Sequence, residues 1–189
     1  MSTTLERDTT QAQMQTTWTI DSAHTDVGFS VKHLMISTVR GRFGDVRGTI
    51  TLNGTDLTRA SVEAEIATTS IDTRTEQRDA HLRSADFFEV ERYPAITFRS
   101  RRVERIKGDR YRIVGDLTMR DITREVVLES TDEGRGKDPW GGDRLAFSAT
   151  TTIDRRDFGL TWNQALETGG VLVSNEIKIS LDVQAVKAS

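Results

Sequence analysis

The sequence predicts an all-β protein, an antiparallel meander that closes into a single barrel. Three observations support this fold class: apolar and polar residues alternate in many segments, turn-forming residues separate those segments, and helical periodicity rarely interrupts them. A meander of about eight or more strands buries its apolar face by curling and closing on itself. A sandwich of two sheets remains open on the pattern alone.

The alternation is clearest in three segments of the C-terminal half. Apolar or small residues occupy nearly every second position in residues 111–119, 145–153 and 177–185. A period of two gives each strand one buried and one solvated face, which is typical of antiparallel sheets. Similar strands are predicted at residues 17–20, 27–33, 42–52, 61–68, 95–106 and 123–129.

Turn-forming residues follow most of the predicted strands. Glycine, asparagine and aspartate favour turns because they adopt the required backbone angles or bond to their own backbone. Gly108-Asp109 lies between two long strands and predicts a hairpin. The other predicted turns are Asn53-Gly54, Met119-Arg120-Asp121 and a loop over residues 133–142.

Two segments break the alternation and predict one or two short helices. Residues 72–84 are charged and tolerate a helix, with Thr73 and Glu76 as a potential capping box. Thr161 and Gln164 form a second potential box before a pair of glycines. Aromatic residues follow the first segment, so we expect that segment to cap one mouth of the barrel.

The first 16 residues predict a polar, disordered tail ahead of a barrel domain over residues 17–189. This segment has no continuous apolar run and no basic leader, so it does not resemble a secretory signal peptide. We therefore expect a cytoplasmic protein. No stretch of the chain approaches the roughly 20 apolar residues that a membrane-spanning helix requires.

Composition excludes several classes of function. The chain has no cysteine, which rules out disulfides, thiolate zinc sites, iron–sulfur clusters and cysteine nucleophiles. Its formal charge of −3 argues against a nucleic-acid partner, because phosphate contacts need a basic surface. No Walker or dinucleotide fingerprint occurs, and we expect no cofactor.

The three histidines, His24, His33 and His81, do not have the spacing of a helix-borne zinc motif. We interpret them as structural histidines rather than metal ligands. Ser22, His24 and Asp26 invite comparison with a hydrolase triad, but no nucleophile elbow surrounds the serine. We therefore expect no catalytic residues, and neither a hydrolase nor a metal-dependent enzyme is strictly excluded by the sequence.

Charged residues on the predicted strands are explained by exposure to solvent rather than by a functional site. Glu63 and Glu65 share one face of a predicted strand whose other face is apolar, which indicates a solvated face. The arginines of residues 99–112 offer a surface for phosphates or an anionic membrane. Acidic neighbours balance their charge, so we interpret this hairpin as having a solvent-exposed outer face.

The inward-facing apolar residues allow two interpretations. Barrels of about eight strands either fill with side chains or hold one small ligand. The residue pattern alone does not separate a filled core from a lined cavity.

Several runs of residues resemble the YceI-like, lipid-binding family. They occur in the family's order and together cover nearly everything from residue 17 to residue 186. The runs are Trp18 to Leu34, Gly41 to Gly44, His81 to Phe88, Tyr93 to Phe98, Gly115 to Arg124 and Ile153 to Leu160.

The resemblance implies an eight-stranded antiparallel barrel of lipocalin-like architecture. It also implies a long apolar cavity for polyisoprenoid or similar amphiphilic lipids, such as a polyprenyl chain or a quinone, and a possible homodimer. Many members of the family carry a secretion signal, and this sequence shows none, so a periplasmic transport role does not carry over.

On this basis we predict a protein that binds, and carries or stores, an isoprenoid-type lipid. A filled barrel acting as an interaction or stress-response protein is the alternative. The polar residues His24, Asp26 and His33 are weaker candidates for meeting a lipid head group. The predicted ligand-binding residues share the inward phase of their strands or lie in the cap: Phe29, Val31, Phe43, Ile66, Phe87, Phe98, Leu117, Met119, Phe147, Trp162 and Ile177.

Overall fold

The computed structural model describes residues 14–189, and in that part of the chain eleven strands join in one antiparallel sheet. The single α-helix among these residues is α1 (Glu76–Arg83). The strands are β1 (Gln15–Ile20), β2 (Asp26–His33), β3 (Ser37–Phe43), β4 (Val46–Asn53), β5 (Ser61–Ala67), β6 (Ile71–Asp72), β7 (Ala95–Lys107), β8 (Arg110–Met119), β9 (Ile122–Lys137), β10 (Asp143–Asp154) and β11 (Val173–Lys187).

The sheet closes into a barrel because β1 pairs with both β4 and β11. The closed ring runs β1-β4-β5-β7-β8-β9-β10-β11 and returns to β1, which makes eight strands. The remaining strands β2, β3 and β6 extend β1, β4 and β5 beyond short interruptions in each. The predicted eight-stranded antiparallel barrel is therefore confirmed, and the sandwich is excluded.

The structure corrects one predicted strand and one predicted loop. The strand expected at 42–52 is interrupted at Gly44, whose amide donates to the carbonyl of Ser70 (3.2 Å) instead of continuing a ladder. The loop expected at 133–142 is mostly strand, since β9 extends to Lys137. Gly134, with φ +105, lies at a register shift against β10 and lets the strand continue past the irregularity.

The predicted tail of residues 1–16 lies mostly outside the described residues and stays a prediction. The barrel itself begins at Gln15, two residues before the predicted boundary, because Gln15 pairs with Asn53 in β4. Of residues 14–189, no helix is long and apolar enough to cross a membrane.

The two ends of the barrel differ. At the cap end lie α1, the turns of residues 84–94, the β2–β3 hairpin and the loop of residues 159–172. At the base end lie the turns at residues 54–60, 108–109 and 138–142. An apolar cluster lies at the base end, around a smaller cavity of about 70 Å³: Trp18, Ile50, Leu52, Val62, Leu145 and Ala185.

The helix caps differ from both predicted capping boxes. Helix α1 begins after Thr75, which makes no side-chain cap. Thr73 instead donates its backbone N–H to the carboxylate of Asp79 (2.9 Å), which is buried within α1. Residues 161–172 contain no helix, because Ala165 and Val171 pair as an isolated bridge there. The buried Asp79 therefore anchors α1 to the strand that precedes it.

An arginine ties the base end together. Arg144 at the start of β10 donates to Asp21 (2.7 Å) and to Asp138 (2.9 Å) in the β9–β10 turn. The hydrogen bond from Arg144 holds the pKa of Asp21 below its usual range. The Gly142 amide and Arg144 together lower the pKa of Asp138. Both carboxylates therefore stay charged over the whole neutral range.

Candidate ligand cavity

A cavity of about 200 Å³ lies inside the barrel, between the base cluster and the cap end. The atoms that face it are apolar. Inward-facing side chains of the strands form its wall, and Leu82, Phe87 and Phe88 from α1 and the following turn line it at the cap end. The alternation of each strand explains this arrangement, because every second side chain points to the interior.

Ten of the eleven predicted ligand-binding residues line this cavity. Some are fully buried and others keep part of their surface accessible. The ten are Phe29, Val31, Phe43, Ile66, Phe87, Phe98, Leu117, Met119, Phe147 and Ile177. Their position is the predicted one, and their role in holding a ligand stays a prediction.

Trp162 is the exception and lies behind the wall. Its ring packs edge-on against His81 of α1, with ring centroids 4.7 Å apart, and 5.3 Å from Phe87. His81 also contacts Asp86 at 2.8 Å. Trp162 therefore joins the loop of residues 159–172 to the helix and holds the two parts of the cap against each other.

Sequence reasoning missed several lining residues that share the inward phase of strands already identified. Ile179, Leu181 and Val183 continue the stripe of Ile177 along β11 and also line the cavity. The alternation that predicts an inward-facing Ile177 predicts the same orientation for these three residues. Leu82 of α1 also lines the cavity, and its helix carries few apolar residues that could have indicated this.

Arg155 is a lining residue that no sequence pattern indicated. It is 97% buried, since only 3% of its surface is accessible. Its guanidinium donates to the backbone carbonyls of Leu160 (2.6 Å), Trp162 (2.8 Å) and Ser174 (3.0 Å). Burial lowers its pKa, yet the side chain stays charged because the arginine pKa is so high. Arg155 therefore fixes the path of the cap loop with hydrogen bonds rather than with a salt bridge.

A close approach of two strands shapes the wall near Phe98. A Cβ at Gly115 would lie 2.6 Å from both the carbonyl oxygen of Arg99 and the ring of Phe98. Only glycine therefore allows β7 and β8 to pair at this point with the Phe98 ring turned into the cavity.

The polar candidates lie apart from one another. His24 is exposed, and its Nδ1 is 2.8 Å from Asp21 rather than near Asp26, so the sequence neighbours do not form a triad. His33 ends β2 beside Val173. Within residues 14–189, no three histidine or acidic side chains lie close enough together to hold a metal ion. None of His24, Asp26 and His33 lines the cavity.

The charged outer face agrees with the sequence interpretation. Glu63 pairs with Arg99 at 3.1 Å, and Glu65 with Arg47 at 3.0 Å, each across neighbouring strands. Arg101 and Arg112 pair with Asp116 and Glu129 in the same way. These exposed pairs offset part of the positive charge of the arginine-rich hairpin.

Comparison with known proteins identifies a matching domain model and similar proteins. The model of the YceI-like domain matches residues 18–185. UPF0312 protein SA2479 of Staphylococcus aureus (strain N315) is 36% identical over 170 residues, which covers 89% of this chain and 96% of that protein.

Solved structures have the same fold. The Campylobacter jejuni YceI protein superposes with a TM-score of 0.72 at 31% identity, over 89% of this chain and 96% of that one. A polyisoprenoid binding domain from Saccharophagus degradans superposes with a TM-score of 0.66 at 13% identity, over 90% and 98% of the two chains. The match of the domain model over most of the barrel, together with these likenesses, shows that the chain belongs to the YceI-like domain family.

Proposed function

We propose that this protein binds the apolar chain of an isoprenoid-type lipid inside its barrel and carries or stores it. The observation that carries the proposal is the interior cavity whose facing atoms are all apolar. Such a cavity favours a hydrocarbon over water, because water needs two or more polar partners to occupy a buried site. Each apolar Å² that a ligand buries there contributes about 25 cal/mol.

The size of the cavity limits what it holds in this conformation. An apolar cavity of about 150 Å³ accommodates one benzene molecule. The 200 Å³ found here therefore holds about one or two isoprene units. A longer chain requires the cavity to widen at the cap end, where α1 and the loop of residues 159–172 are not part of the sheet ladder. We propose that the cap moves outward when a full-length lipid enters.

The relatives support binding of this ligand class. The Saccharophagus degradans domain is described as polyisoprenoid binding, and it shares the barrel at 13% identity. That likeness supports the view that the barrel can hold such a lipid. The proposed ligand of the present chain is argued from the cavity of this chain. Binding, rather than catalysis, is the function that an apolar lining supports, because it brings no pair of acid and base groups to a substrate.

The direct experiment is extraction of the purified protein with organic solvent, followed by mass spectrometry. We expect a polyprenyl lipid or quinone in near-stoichiometric amount. Protein stripped of lipid is then incubated with a polyprenyl alcohol and extracted again. If neither sample contains lipid, the barrel functions as a filled scaffold and the proposal fails.

A charge placed inside the cavity tests the site itself. Met119 is 7% exposed and lines the cavity, so Met119→Glu puts a carboxylate where a lipid chain would lie. We expect lipid uptake to fall by about tenfold or more, since burying the chain against a charge forfeits at least 1.4 kcal/mol.

Two control variants accompany this change. Met119→Leu conserves volume and polarity and should bind as the wild type does. Val127→Glu adds the same charge on the exposed face of β9, where 39% of the side chain is accessible. Folded Met119→Glu protein with normal uptake would remove Met119 from the site.

A further inference from the structure

The hairpin between β2 and β3 ends in three exposed apolar residues. Leu34, Met35 and Ile36 form its tip, and their exposed fractions are 37%, 59% and 83%. We call these three residues the apolar tip. A contiguous exposed apolar patch costs solubility and commonly marks a contact surface.

The backbone of the tip makes this choice of residues more unusual. Leu34 and Met35 have φ values of +53 and +61, and Ile36 N–H donates back to the carbonyl of His33 (3.2 Å). Two central residues with positive φ are typical of a type I′ turn, which favours asparagine and glycine. Bulky side chains are strained in that region. Neither the turn nor solvation therefore explains leucine and methionine here.

A second hairpin at the same end provides an internal comparison. The β8–β9 turn also has two non-glycine residues of positive φ, Arg120 (+50) and Asp121 (+60). That turn uses polar residues, and Arg120 donates to the carbonyl of Gly159 (2.6 Å). The barrel therefore makes this kind of turn at its cap end without exposing apolar side chains.

The apolar tip lies next to the cavity. Val31, two residues before His33 in β2, lines the cavity, and so does Val173, which pairs with His33. The backbone N–H of Leu34 donates to the carbonyl of Leu172 (2.9 Å) in the cap loop. A surface that contacts the tip therefore lies close to the loop of residues 159–172 and to the cap end of the cavity.

Each strand of the hairpin carries one exposed basic residue. Lys32 on β2 lies two residues before the tip and Arg40 on β3 lies four residues after it, and neither forms an ion pair with any of residues 14–189. Apolar side chains bordered by unpaired cations match the interface of an anionic bilayer, where hydrocarbon lies beneath negative head groups.

We propose that the apolar tip docks the cap end of the barrel onto an anionic lipid bilayer. Leu34, Met35 and Ile36 enter the head-group region, while Lys32 and Arg40 contact lipid phosphates. Docking places the cap loop at the membrane surface, where a lipid chain passes between bilayer and cavity. The docking rests on the apolar tip and these two cations, and its use in lipid exchange rests on the function proposed above.

Vesicle flotation with equal parts phosphatidylcholine and phosphatidylglycerol tests the docking. The tip variant carries Leu34→Asn, Met35→Gly and Ile36→Ser, which suit the turn and remove the apolar surface. We expect its vesicle partition coefficient to fall by about tenfold or more. Its melting temperature should stay the same or rise, because the strain is relieved. Equal vesicle binding by the variant and the wild type would overturn the proposal.

Matched variants separate the tip from exposed apolar residues in general. Trp140 is 86% exposed in a turn at the base end, so Trp140→Ser should leave vesicle binding unchanged. Lys32→Ser with Arg40→Ser should weaken binding to anionic vesicles and reduce its salt dependence. A comparable loss with Trp140→Ser would contradict docking through the cap end.

Two further outcomes are distinguishable. If the wild type forms dimers that the tip variant does not, and neither binds vesicles, the tip joins two copies of the chain and membrane docking fails. If the wild type binds vesicles but never takes up lipid, docking stands and the proposed lipid-binding function fails. Loading of stripped protein with a polyprenyl alcohol in the absence of vesicles provides the second readout.

Discussion

Replacing Arg155 by methionine tests the role of a buried arginine that lines the cavity. The guanidinium makes three hydrogen bonds of 3.0 Å or less to carbonyls of residues 160, 162 and 174. Methionine fills much of the volume but donates nothing, so these carbonyls lose their partner in a buried site. The loop of residues 159–172, which carries two of these carbonyls, should loosen before the barrel does.

The expected magnitude follows from the contacts. A hydrogen bond to a charged group contributes about 1.5–3 kcal/mol, so three of them contribute roughly 4.5–9 kcal/mol. The wild type also bears the cost of removing a guanidinium from water, which is several kcal/mol. We expect Arg155→Met to lower the free energy of unfolding by about 3–5 kcal/mol. In a chain of this size that corresponds to a fall in Tm of about 6–20 °C.

Urea unfolding followed by tryptophan fluorescence measures this change, and scanning fluorimetry gives Tm. The neighbouring residue supplies the control. Arg156 is exposed and pairs with Asp154 at 2.5 Å, so Arg156→Met removes the same charge from a solvated position and should leave Tm nearly unchanged. Equal Tm values for the two variants would refute the conclusion that Arg155 holds the loop of residues 159–172 in place.

Three further changes probe the frame around the cavity. Gly115→Ala should cost about 1–3 kcal/mol in urea unfolding through its clash with β7, whereas Gly136→Ala, with open space around its Cβ, should cost little. Arg144→Met should make the free energy of unfolding depend less on pH in acid. Asp21 and Asp138 have lowered pKa values in the wild type, so they stabilise the fold above their ordinary pKa of 3.8, and this stabilisation is lost as the pH falls. Asp79→Ala should lower Tm and speed hydrogen exchange in α1, because the Thr73 N–H loses its buried acceptor.

The strands were predictable because alternation is a local property of the chain. The segments 111–119 and 177–185 fall within β8 and β11 as expected. The interruption at Gly44 was not predictable, since it depends on a hydrogen bond to Ser70, a residue 26 positions further along the chain. Gly134 likewise resembles a loop residue until its partner strand is known.

The cap was less predictable than the barrel. Thr73 has a local helix-capping pattern, yet its hydrogen bonds go to Asp79, because a buried carboxylate competes better than a fraying helix end. Arg155 stands in a run of charged residues that favours an exposed position. Only the fold brings the carbonyls of residues 160, 162 and 174 around it, so its burial depends on contacts between segments rather than on sequence pattern.

Whether such a barrel is filled or hollow depends on the same inward-facing residues, so alternation alone leaves the question open. The structure gives a different answer at each end. At the base end Trp18 and Leu52 belong to an apolar cluster around a cavity of only about 70 Å³, whereas nearer the cap end Met119 and Val31 border the cavity of about 200 Å³. The base end is closed by strand pairing and packed side chains, and the cap is held by side-chain hydrogen bonds such as those of Arg155. Local opening therefore costs least at the cap, and any lipid that enters passes there rather than through the sheet.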